Sequence, residues 1–159
     1  MTRGLLRAWL LTGVIDGLFA CVQAVFFSGS TVTRLFQGVA STLLGAEAYQ
    51  GGVSTALIGV LMHFGVAFGW SVVFLALYSA SARLRGLVST RAGVVAVAAV
   101  YGPLIWSVMS LFVIPTLTGR PPSLTPRWWG QLAGHFPFVG LPIVGSIATV
   151  GDRRLGHTR

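Results

Sequence analysis

The chain has 159 residues, of which 54% are hydrophobic and only 9% charged, and its mean hydropathy of +0.81 excludes an ordinary soluble globular domain. All eleven cationic side chains are arginine, against three acids, for a net charge of +8. They sit in short clusters between apolar runs with no recognition motif beside them, which excludes nucleic acid as the partner in favour of membrane topology and lipid phosphate.

In chain order, the first apolar run is expected to span a bilayer over about 8 to 28, and it is too long for the core of a cleaved leader. Its single cysteine, Cys21, excludes an intramolecular disulfide. The next segment, "STVTRLFQGVASTLLGAEAYQGG", places Val32, Leu35, Phe36, Val39 and Leu43 at helical spacing, with Ser30 or Thr31 as N-cap and Gly45 as C-cap. This pattern predicts a short amphipathic interfacial helix over about 31 to 44, lying across the outer mouth of the bundle. Further spans are predicted over about 53 to 79, 92 to 115 and 128 to 150.

With four spans, both termini lie on one side. That side carries Arg3, Arg7, Arg83, Arg85, Arg91, Arg153, Arg154 and Arg159, while the other carries only Arg34, Arg120 and Arg127. The bias predicts cytoplasmic termini. The second outer loop, "TGRPPSLTPRWW", is stiffened by proline, and Trp128 and Trp129 are expected to anchor the fourth span at the interface. Small residues four apart, Gly13 and Gly17, Ala20 and Ala24, Gly65 and Gly69, predict close helix packing.

Ionisable groups are costly inside a bilayer, so each is a functional candidate. Asp16 is expected roughly 11 Å into the first span from the inner side, His63 roughly 15 Å and His135 roughly 10 Å from the outer side. The three predict a staircase of titratable groups, with Asp16 meeting one histidine across the bundle. Gln23 on the Asp16 face of the first span, Tyr101 in the third span, and Gln131 one turn before His135 extend the expected polar interior.

An aspartate–histidine pair in this setting either fixes helix packing or relays protons, the second suiting an imidazole, which titrates near pH 6.5 in water. No cofactor is expected. Axial ligation of haem by His63 and His135, or a metal held by both with Asp16, is the chemical alternative, without a ligand-spacing motif behind it. Pro103, Pro137 and Pro142 lie inside spans, where each removes a backbone hydrogen bond, and they are hinge candidates. No hydrolase or phosphate-cradling motif is present, so an enzyme is not expected.

The order of a span with a central histidine, "LMHFGVAFGWSVVFLALY", a basic inner loop, a span ending "VIPTLTGRPP", and then "WWGQLAGHFPF" resembles the YagU-like family of bacterial inner-membrane proteins. The resemblance covers roughly residues 53 to 150, with His63 and His135 matched by pattern and Pro115, Pro121 and Pro122 marking the outer loop. It implies a small multi-pass helical protein of the cytoplasmic membrane, with a link to survival in acid. Asp16 has no counterpart in it. The expected protein is thus all-α, and either handles protons or a transported solute as a homo-oligomer, or serves as a non-catalytic subunit of a larger membrane complex.

Overall fold

The computed structural model describes residues 2–155, with side chains to residue 148; Arg153, Arg154 and Arg159 lie outside the described side chains. Four helices are long and apolar enough to cross a membrane: α1 (Thr2–Phe27), α3 (Gly52–Ala80), α5 (Arg91–Thr118) and α6, whose apolar window is Pro126–Ala148. Between them lie α2 (Val32–Leu44) and, within the basic loop between α3 and α5, a short α4 (Ala82–Leu87). No strand occurs among the described residues.

Local chemistry fixes most of the helix ends. The Thr31 hydroxyl accepts from the Arg34 amide at the start of α2, and Gly45, at φ 68°, ends that helix in a backbone region that favours glycine. Ser81 and Thr90 cap α4 and α5 in the same way, through the amides of Leu84 and Gly93. At α6 the cap is Thr125, followed by Pro126, whose missing N–H costs nothing in the first turn. Arg85 folds back to donate to the carbonyls of Tyr78 and Ser79 near the end of α3, where a cation also suits the helix dipole.

Three of the long helices change pitch inside their length. The segments Gln23–Phe27, Met109–Val113 and Phe136–Gly140 are π-helical turns within α1, α5 and α6. Pro137 lies in the last of these and supplies its cause, having no amide for the Ala133 carbonyl. Pro103, by contrast, is accommodated in the α-helical part of α5.

The bundle has two unlike halves. Toward the chain start, Phe74, Ile143 and Val144 are fully buried with Ala8, Ala98, Ile105 and Val139 in a dry core. Tyr101 belongs to it, packed on Phe74 and donating to the Trp70 carbonyl at 2.7 Å. The half covered by α2 is hollow.

Glycines set how closely the helices approach. A Cβ on Gly102 of α5 would run into the His135 carbonyl of α6, and one on Gly140 into the Ala98 carbonyl. Gly59 of α3 receives the Phe36 carbonyl of α2 in the same manner. Gly13 and Gly17 form the expected notch on α1, filled by Phe64 and His63 of α3. Gly65 and Gly69 differ: nothing of this chain lies within 4 Å of either Cβ position, so they pack no helix of the same molecule.

Candidate functional site

Asp16, His63 and His135 line one cavity of about 560 Å³ beneath α2. They do not stand apart on their helices. Instead α1, α3 and α6 bring them to a common wall, and the same three also border a smaller pocket of about 150 Å³ that continues downward between Thr12 and Ile143. Ile105, Val139 and Ile143 floor this pocket and belong to the dry core.

Each imidazole is held by a backbone carbonyl rather than by the carboxylate. His63 Nε2 lies 2.9 Å from the Gly13 carbonyl, and His135 Nδ1 lies 2.8 Å from the Gln131 carbonyl one turn back on its own helix. A carbonyl only accepts, so these nitrogens carry the protons. The neutral rings are therefore opposite tautomers, with Nδ1 of His63 and Nε2 of His135 left to receive a proton. Neither imidazole makes a direct hydrogen bond to the Asp16 carboxyl, whose Oδ1 has no protein partner.

Three buried polar atoms on the small pocket's wall have no protein partner: Thr12 Oγ1, Asp16 Oδ1 and Trp106 Nε1. Thr12 precedes Asp16 by one helical turn and is 1% exposed. The Trp106 ring lies 4.9 Å from that of His135. Buried polar groups are nearly always paired, and orphans gathered on a cavity wall mark a place built for water or a polar ligand.

The remaining sequence candidates divide. Gln131 borders both this cavity and an outer vestibule of about 400 Å³, which share Gly38, Thr42, Tyr49 and Arg127 and so run together. Gln23 lies off the cavity: its Nε2 is 3.5 Å from the Cβ position of Gly130, while Ala20 and Ala24 take the cavity wall beside Asp16. Tyr101 also lies outside, in the dry core. Thr12, Trp106 and the inner face of α2 were not among the sequence candidates, although Thr12 sits at i−4 from Asp16, a spacing that shares one helix face.

α2 lines this cavity through Leu35, Gly38 and Val39. The Phe36 ring meets His63 edge-on at 6.1 Å. Val32 and Leu43, read from the sequence as part of the same stripe, are exposed.

The tryptophan pair separates as well. Trp129 is 56% exposed and free to sit at an interface, but Trp128 is buried, donating to the Ser110 hydroxyl at 2.9 Å and walling the vestibule. Trp128→Phe should therefore lower thermal stability in detergent by about 0.5–1.5 kcal/mol, the worth of one such bond, while Trp129→Phe leaves it nearly unchanged.

Among the described residues no three His, Cys, Asp or Glu side chains are grouped to hold a metal ion. Family models, characterised proteins and solved structures were all compared with the chain, and none of them matches it.

Proposed function

We propose that this is a multi-pass protein of the bacterial cytoplasmic membrane, with both termini cytoplasmic, that moves protons or a small solute through the hollow half of its bundle and catalyses no reaction. One observation carries the reading: Asp16, His63 and His135 share a cavity wall on which three polar atoms, one of them Asp16 Oδ1, have no protein partner. Imidazole changes charge between about pH 5 and 8, so two tautomerically fixed histidines facing one carboxyl can pass a proton without moving a helix.

Passage across the floor needs a second conformation, because Ile105, Val139 and Ile143 close it. The π-turns at Met109–Val113 and Phe136–Gly140 lie on the helices that supply this floor, and π-turns recur at functional sites. Pro137, Pro103 and Pro142 are the hinge candidates in those helices, and Pro137 is the one inside a π-turn. Membership of the YagU-like proteins rests on the residue pattern around His63 and His135.

The test is flux. Reconstituted protein should dissipate a pH gradient or carry solute in a pH-dependent way, and Asp16→Asn, which keeps the shape but not the charge, should abolish that dependence. Flux unchanged in Asp16→Asn eliminates the role.

A second reading, an accessory subunit or a homo-oligomer, is favoured by Gly65 and Gly69, which lie open on a face that also exposes Leu61, Phe68 and Val72. Small residues on an apolar helix face admit a neighbouring helix closely in lipid. Gly65→Ile should then split the purified assembly, read as a smaller particle by light scattering; an unchanged mass removes that support.

A further inference from the structure

All three arginines at the α2 end line the mouth of the cavity. Arg34 and Arg127 border its main chamber, and Arg120 and Arg127 border the vestibule above. They are the same three that run against the arginine bias of the chain. A positive-inside tendency would remove them, so their retention at one opening calls for a local cause.

Their placement on the helices sharpens the point. Arg34 follows the Thr31 cap by three residues, and Arg127 follows the Thr125 cap by two, so each puts a cation in the first turn of its helix. The dipole makes that end positive already, and acids are the residues that suit it. Neither first turn contains an acid. No carboxylate among the described residues pairs with Arg34, Arg120 or Arg127. Arg34 is instead held 4.6 Å over the Tyr49 ring, a contact that orients the guanidinium without neutralising it.

Two helix N-termini and three unpaired guanidiniums thus converge on one opening, and an anion satisfies all of them. Below the arginines, beside Asp16, His63 and His135, the chamber presents an apolar wall of Leu35, Met62, Val66, Met109 and Ile114. At about 560 Å³ the chamber is of the size that holds a small organic molecule, a class of roughly 300–1,000 Å³. We infer that the cavity binds an anionic amphiphile, its carboxylate or phosphate head between Arg34 and Arg127 and its apolar part against Leu35, Met62 and Met109.

This inference takes the cavity as the protein's working site, as the proposed function does, but it is read by binding alone. Protein purified in a neutral maltoside detergent would be melted with sodium decanoate, with phosphatidylglycerol, with inorganic phosphate and with decyltrimethylammonium. A ligand of the native state raises the melting temperature with the logarithm of one plus the ratio of its concentration to Kd, so a concentration series gives its half-saturating concentration.

Decanoate or phosphatidylglycerol should stabilise the protein, the first identifying a free amphiphile and the second a lipid headgroup. Inorganic phosphate should be weaker by at least roughly tenfold in half-saturating concentration, lacking the apolar part. Arg34→Gln with Arg127→Gln should shift the half-saturating concentration upward by roughly tenfold or more, since each removes a charged donor. Arg83→Gln, an exposed arginine at the other end, should respond as the wild type. Three results overturn the inference: no shift with either anionic amphiphile, an equal shift with the cationic one, or a shift that survives the double substitution. Asp16→Asn that loses flux but keeps the decanoate response would separate the two proposals, leaving the anion site standing.

Discussion

Gly102→Val should melt roughly 5–10 °C below the wild-type protein in detergent, because overpacking a filled site costs about 1–3 kcal/mol and sometimes more. The obstacle is backbone. A side chain at this position meets the His135 carbonyl and then the Gly140 amide, and neither can swing aside as the tip of a flexible side chain would. Relief requires α5 and α6 to part along the seam that also holds Gly140 against Ala98. The same movement displaces His135, so flux should fall with stability. Gly86→Val provides the comparison, since nothing of the chain lies within 4 Å there. Equal melting of the two variants would mean that the α5–α6 contact is not as close as described.

Gly59→Val should leave that seam intact and free α2 instead. The Phe36 carbonyl fills the space that the new side chain needs, so α2 must lift from α3. Its docking otherwise rests on few polar ties, of which Gln37 donating to the Gly52 carbonyl at 3.0 Å is the clearest. Overpacking of about 1–3 kcal/mol would raise local opening of α2 by roughly tenfold or more. Trypsin reads this opening at Arg34, within α2, and cleavage there should quicken accordingly while the bundle's melting temperature changes less than in Gly102→Val. Cleavage at the wild-type rate would contradict the placement of α2 against Gly59.

The four long helices and α2 were legible in the sequence because apolar runs and caps are local signals. The first helix nevertheless begins at Thr2, well before its apolar run, since a helix ends where its backbone hydrogen bonds do and not where hydropathy falls. The short α4 hid inside a basic loop, though Ser81 was a readable cap. The candidate site was half legible. Burial cost marks Asp16, His63 and His135 wherever they stand, but depth along a helix says nothing about rotation around it, so Tyr101 and Gln23 were placed with them and lie elsewhere.

The two tryptophans part for a related reason, since adjacent residues on an α-helix point about 100° apart. Trp129 takes the exposed side and Trp128 turns inward. Trp106 and the arginines at the mouth carried no sequence signal as members of a site, because only the packing of α2, α5 and α6 brings them to one cavity. Thr12 does carry such a signal, standing one helical turn from Asp16.

The cavity beneath α2 lies above a packed floor, and the proposed function requires that water reach it while the outer helix faces meet lipid. Single cysteines introduced into a Cys21→Ser background and exposed to a small water-soluble thiol reagent in the reconstituted protein test it directly. Ala20→Cys, on the cavity wall beside Asp16, should label readily. Ile143→Cys, fully buried in the floor, and Leu18→Cys, 62% exposed on the outer face of the same helix as Ala20, should resist. Labelling of Leu18→Cys as fast as Ala20→Cys, or none at Ala20→Cys, would contradict it.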